Sequence, residues 1–199
     1  MSDPVTARIR RSPETAKALF LEKAEVLLMA DGLAAVQMRA VARQAGVTDA
    51  AVAHHFGNRA GLLSALMDHV LTKVRAAIGE IAAAWSGDPD HFKELVYALD
   101  ALYRRGYAEL AHAVSLAGWR DQGEPILAPV ARQLIACNAN STTRDRDIKR
   151  VLAALHMDLA LSPLFGEAFQ RSVGLRQADR KAQLDWWAAQ IVDLVEALG

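Results

Sequence analysis

Cysteine is nearly absent: Cys137 stands alone among 199 residues. A single thiol excludes an internal disulfide framework and any multi-cysteine metal site. An excess of charge is missing too. Lys and Arg number 23 and Asp and Glu number 23, so the formal net charge is zero. A neutral chain gives no hint of a nucleic-acid partner and, taken alone, argues mildly against one. No apolar run approaches the roughly eighteen residues of a membrane span. Residues 1–11 are polar and carry three arginines, with no apolar stretch behind them. Together these absences predict a cytoplasmic protein without membrane, metal or cofactor. What is present is a hydrophobic fraction of 52%, which rules out intrinsic disorder and allows a sizeable core.

The neutral total hides a small asymmetry. Residues 1–60 hold eight Lys or Arg against six acids, together with His54 and His55. The surplus matters only if the basic residues converge on one face. An ordinary solvated surface is the alternative reading.

Helical spacing dominates, and no segment alternates with the period of a strand. The expectation is an all-α fold of about nine helices. Ser12-Pro13-Glu14 has the form of a helix start, and Asp31-Gly32 of its end. Short helices follow over 38–45 and 48–55, then a long one over 59–84. Helical stretches over 90–118, divided at Gly106, and over 124–138 come next. A helix over 144–161 is ended or kinked by Pro163 and Gly166, and the last runs over 178–198. The organisation expected is a flexible basic arm over 1–11, a first domain over 12–70 and a second over 71–199.

The informative stretch is Val36 to Leu63. Two short helices meet through Ala45-Gly46-Val47. A small residue at 45 allows close approach, and Gly46 supplies the left-handed backbone of a tight turn. Val41, Ala42, Val47, Val52 and Phe56 can then cluster against the first helix. This is a helix-turn-helix arrangement, which leaves its second helix free to enter a DNA major groove.

Several positions also match in register with a known family. Phe20 to Gly32 resembles the first helix of the tetracycline-repressor (TetR) family. Met38 to Val47 resembles its second helix and turn. Val52, His54-His55-Phe56, Asn58-Arg59 and Leu62-Leu63 resemble its recognition helix and the start of its fourth helix. The resemblance covers about residues 12–70. It implies a homodimer that binds a two-fold symmetric double-stranded DNA operator, most commonly as a repressor. It also implies a small-molecule effector of unknown identity in the second domain, whose binding tilts the fourth helix. Four positions depart from the family's pattern. Ala53 stands for a usual tyrosine, Arg59 for a lysine, Val36-Gln37 for a threonine or serine, and Gly61 for an acid.

On the third helix Val52 and Phe56 face inward, four residues apart. Thr48, Asp49, Ala50, Ala51, Ala53 and His54 are left nearer the outside. The alanines would let the backbone approach the groove floor, where a methyl can touch a thymine methyl. Thr48 and His54 can hydrogen-bond bases or phosphates. Gln37, Arg39, His55, Asn58 and Arg59 are candidates for phosphate contacts. For Asp49 a charge at the helix N-terminus is the competing role, and for the two histidines a hydrated surface pair. Arg8, Arg10 and Arg11 form either a DNA-reaching arm or a disordered tail.

One such helix reads only a few base pairs, so a dimer with recognition helices about 34–36 Å apart is expected. Its candidate surface is Ile148, Val151, Leu155 and Leu159 with Leu184, Trp187, Ile191, Leu194 and Leu198, unless these faces bury within one subunit. Candidate effector contacts are Tyr97, Tyr103, Tyr107, His112, Trp119, His156 and Phe165, for each of which a core role competes. The motifs HExxH, P-loop, GxGxxG and GxSxG are all missing. Cys137 lies in an apolar stretch, where a thiol is ordinarily inert. The chain is therefore read as no enzyme. An all-helical small-molecule carrier or interaction module without DNA binding is the alternative.

Overall fold

The structure is a computed structural model. It describes residues 12–84, 89–136, 142–175 and 180–196. Among these lie nine α-helices and no strand. They are α1 (Pro13–Asp31), α2 (Met38–Ala45), α3 (Asp49–Phe56), α4 (Arg59–Ala84), α5 (Pro89–Leu102), α6 (Ala108–Leu116), α7 (Ala128–Ala136), α8 (Thr142–Ser172) and α9 (Arg180–Glu196). Residues 1–11, Cys137, Asn140 and Leu198 lie outside the described residues. Two compact units divide between Leu66 and Met67, within α4.

In the first unit α1 starts as its residues require. The Ser12 hydroxyl accepts the Thr15 N–H at 3.2 Å, and Pro13 takes a position with no intrahelical donor to lose. Phe20, Leu21, Ala24, Leu27 and Leu28 form one buried face. Against it pack Val36, Val41, Ala42, Val52 and Phe56, all buried. A single turn of 3-10 helix, Leu33–Ala35, links α1 to α2.

In the second unit α5, α8 and α9 share the core. Phe92, Leu95, Val96 and Leu99 of α5 are buried, as are Ile148, Leu152, Leu155 and Leu159 of α8 and Leu184, Ala188 and Ile191 of α9. A polar network ties the same three helices. Arg180 donates to Asp100 from Nε at 2.9 Å and from Nη2 at 2.6 Å, and to Asp158 at 3.1 Å. Gln183 and Trp187 also donate to Asp158, at 2.9 and 3.1 Å. Asp100 is buried, and a buried carboxylate of this kind is tolerable only when paired. Between α5 and α6 the helix kinks at Arg105 and Gly106, whose φ is +95°. The division expected at Gly106 lies there.

Three expectations need correction. The helix expected from Glu124 begins at Ala128. Pro125 opens a turn instead, its carbonyl accepting the Ala128 N–H at 2.9 Å. Pro163 does not end α8, which runs on to Ser172. Proline there removes one N–H, while the apolar spacing of Leu161, Phe165 and Phe169 continues past it.

The expected dimer surface is the third correction. Ile148, Leu155, Leu159, Leu184 and Ile191 are buried inside this one chain and present nothing to a second copy. Val151 and Trp187 are half-buried, and the Leu194 side chain lies outside the described part of α9. The exposed apolar side chains of α8 are others: Met157 (60% exposed), Leu161, Phe165 and Phe169 (65%). They step by four residues, so they form one stripe. Trp186 of α9 is exposed as well, at 52%.

The double load on α8 raises its hydropathy. Contrary to expectation, residues 145–172 are long and apolar enough to cross a membrane by length and composition, an 18-residue window among them reaching a mean hydropathy of 1.2. One set of its apolar residues fills the core and a second set forms the exposed stripe. Asp158, in mid-segment, is held by Arg180, Gln183 and Trp187.

Candidate nucleic-acid interface

Gly46 closes α2 in a left-handed conformation, φ 68° and ψ 36°, and its N–H returns to the carbonyls of Ala42 and Arg43. Val47 N–H also bonds to Ala42 O at 3.0 Å. Thr48 then caps α3, its hydroxyl accepting the Ala51 N–H at 3.4 Å. Val52 and Phe56 seat α3 on the core of the first unit. Seating by these two residues dictates what α3 shows to solvent. Thr48, Asp49, Ala50 and His54 are exposed, and Ala51 and Ala53 are half-buried. The outer surface of α3 is therefore small, with one hydroxyl, one imidazole and the Asp49 carboxylate projecting from it.

The other candidates divide into presented and committed groups. Arg39 is 87% exposed and pairs with Asp49 at 3.3 Å across the starts of α2 and α3. Such an exposed pair contributes little to stability, so the guanidinium can swing to a phosphate. Gln37 donates from Nε2 to the Ala34 carbonyl at 2.9 Å. Asn58 caps α4, its side-chain oxygen accepting the Gly61 N–H at 3.0 Å. His55 is half-buried, with its ring edge-on to Phe20 at 5.4 Å between centroids.

Arg59 is turned to a task that the sequence reading missed. Its Nε donates to Val36 O at 2.8 Å and its Nη2 to Leu33 O at 2.9 Å. Leu33 O already accepts the Val36 N–H at 3.2 Å, and Val36 caps the 3-10 turn, so Arg59 ties down both ends of that turn. No spacing rule signals a side chain reaching back over twenty residues. Gly61 was noted only as a departure from the family. A Cβ there would collide with the Phe56 carbonyl oxygen, so the first turn of α4 packs against the end of α3 only with glycine at this position.

The seven candidate effector residues of the second unit do not converge. Tyr97 donates to Asp185 at 2.8 Å, and Lys181, Lys93 and Tyr97 hold that carboxyl well below the usual carboxylate range. Trp119 donates to Asp68 at 3.1 Å. Tyr107 is buried, while His112 and Phe165 are exposed and meet edge-on at 6.2 Å. Tyr103 and His156 come together beside a cleft. The Tyr103 hydroxyl lies 2.5 Å from His156 Nε2, and His156 lines a cleft of about 480 Å³ between α8 and residues 125–131. Burial pushes the Tyr103 hydroxyl up to about 12 and the His156 imidazole down. A protonated phenol and a neutral ring fit one arrangement, in which Tyr103 donates to Nε2 and the ring proton sits on Nδ1. The sequence reading missed the rest of this cleft, including Ile126, Leu127, Lys149 and Leu152. Among the described residues no group of three or more His, Cys, Asp or Glu is placed to hold a metal ion.

Comparison with known proteins places this geometry in context. Residues 20–66 match the family model of bacterial regulatory proteins, tetR family. The HTH-type transcriptional regulator BetI of Stenotrophomonas maltophilia is 33% identical over 66 residues, which is 33% of this chain and 34% of that protein. The matched part thus spans about a third of the length of that relative. Apo ActR of Streptomyces coelicolor resembles the fold with a TM-score of 0.61 at 17% identity, over 92% of this chain and 97% of that one. BioQ of Mycobacterium smegmatis does so with a TM-score of 0.52 at 23% identity, over 92% and 98%. At these identities the two solved structures share the fold with this chain, and nothing finer.

Proposed function

We propose, from the match of residues 20–66 to the bacterial regulatory proteins of the tetR family, that the chain is a member of that family and a ligand-responsive transcriptional regulator, a repressor that binds a two-fold symmetric DNA operator as a homodimer. The observation that carries the reading is the outer surface of α3. Val52 and Phe56 hold the helix down, and Thr48, Ala50 and His54 are exposed. Small side chains let a helix lie deep in a major groove, and the hydroxyl and imidazole supply hydrogen bonds to base edges. Arg39 supplies phosphate contact. Arg59, Asn58, Gln37 and His55 fix the backbone that presents α3.

A dimer doubles the contact. The surface proposed for it is the stripe of Met157, Leu161, Phe165 and Phe169 on α8 with Trp186 of α9. A two-fold axis lets such a stripe meet itself, and large contiguous apolar surface favours a partner over water. The second unit then carries the effector.

Selection from a pool of genomic duplex fragments tests the reading. The purified chain should enrich a site with two-fold symmetry. His54→Ala should relax base preference, and Arg39→Ala should weaken binding uniformly and flatten its salt dependence. No enrichment at low or moderate salt, from folded dimer freed of small molecules by denaturation and refolding, would overturn it.

A further inference from the structure

The cleft of about 480 Å³ in the second unit falls within the size range of small-molecule sites. Its wall is almost wholly hydrocarbon: Ile126, Leu127, Ala131 and Leu152 contribute, and no acid lines it. Two polar groups break the apolar wall. Lys149 stands on α8, and no carboxylate pairs with it among the described residues. His156 lies two turns further along the same helix, with Tyr103 engaging its Nε2.

We infer that this cleft takes an apolar molecule bearing one anionic group, a carboxylate or its like, with Lys149 as the counter-ion. The inference rests on reading the second unit as the effector-binding part. Apolar walls select a hydrocarbon body, since burying it removes apolar surface from water on both sides. An ammonium beside such a wall repels a cationic ligand and offers a neutral one a hydrogen bond without charge–charge attraction. An anion gains a charge-assisted hydrogen bond. His156 adds no second positive charge near neutral pH, because burial lowers its pKa below the ordinary value. Lys149 is exposed, so its preference acts at the mouth of the cleft, with the hydrocarbon inside.

Three probes sharing one straight alkyl chain separate these terms: decanoate, decanol and decyltrimethylammonium. Each is titrated calorimetrically into the full chain without DNA, below its micellar concentration. Decanoate should bind once per chain, about tenfold or more tighter than decanol, and the quaternary ammonium should not bind. Lys149→Gln should bring decanoate down to the level of decanol, a loss of about tenfold, and leave decanol unchanged. Ala153→Trp, at an exposed lining position, should abolish binding of both by filling the cleft. Equal affinity for decanoate and decanol, decanoate binding indifferent to Lys149→Gln, or no binding of decanoate to a chain shown folded by circular dichroism would each overturn the inference. Because no DNA is present, such a failure leaves the DNA-binding reading standing. Loss of operator selection, in turn, leaves the titration unaffected.

Discussion

Arg59 donates to the backbone carbonyl of Val36 at 2.8 Å, bridging the start of α4 to the turn that precedes α2. Its second bond, to Leu33 O at 2.9 Å, fixes the same turn. A point charge on a flexible stem cannot reproduce this two-pronged contact. Arg59→Lys should therefore lower the stability of the first unit by about 2 kcal/mol, the range for hydrogen bonds from a charged donor. Thermal unfolding reads that loss. The salt dependence of DNA binding reads the alternative. If Arg59 touches no phosphate, Arg59→Ala leaves the slope of log K against log salt unchanged. A phosphate contact at Arg59 would reduce that slope by about 0.9 for each subunit, about 1.8 for the dimer.

Gly61 makes a second prediction about the same region. A Cβ at this position collides with the Phe56 carbonyl oxygen. That oxygen also accepts the Asn58 N–H at 2.8 Å, so it cannot retreat without losing a bond. Gly61→Ala should destabilise the first unit by about 1–3 kcal/mol, the usual cost of forced overpacking. Ala elsewhere in an exposed helix stabilises relative to Gly, so the sign of the change is diagnostic. Chemical denaturation measures it, and an increase in stability would contradict the packing described.

Much of the first unit was legible in the sequence because its signals are local. Ser12-Pro13, Gly46 and Thr48 act within three or four residues of themselves, and each stands where caps and turns require it. The inward pair Val52 and Phe56 follows from spacing alone. The tasks of Arg59 and Gly61 were not legible, since each depends on an element distant in sequence or on a close approach that only coordinates reveal. The second unit fared worse for a related reason. Ile148, Leu155 and Leu159 do lie on one stripe of α8, but periodicity cannot say whether a stripe meets its own chain or another. With a second apolar set on the same helix, only burial separates the two.

His156 gives stability a pH dependence. Burial lowers its pKa from the ordinary value of 6.5, so below about 6.5 the unfolded chain binds a proton that the folded chain resists. Unfolding free energy then rises with pH through this window, and stability is lost as pH falls from neutrality toward the lowered folded value. Denaturant titrations at pH 7.5 and pH 5.5 should show the wild type losing stability at the acid end. His156→Phe should flatten that part of the profile, whatever its effect at neutral pH. An equal acid loss in both proteins would assign the dependence to other groups.

Phe169 and Leu159 lie on one helix with opposite surroundings, and that contrast tests the dimer face. Phe169 is 65% exposed, while Leu159 is fully buried. In a lone chain Phe169→Asp replaces an exposed ring and should change stability by less than about 0.5 kcal/mol. At a two-fold interface it sets carboxylates into an apolar contact from both sides, and the desolvation cost has no paired gain. Sedimentation velocity should then show monomers that keep their helical spectrum. Operator affinity should fall by roughly 10²–10⁴, the advantage that linking two half-sites confers. Leu159→Ala should do the reverse. It removes about 2–5 kcal/mol of core stability yet leaves a dimer wherever the chain stays folded. A Phe169→Asp protein that remains dimeric would move the interface away from this stripe, and dissociation by Leu159→Ala at full helicity would return it to the face that the structure buries.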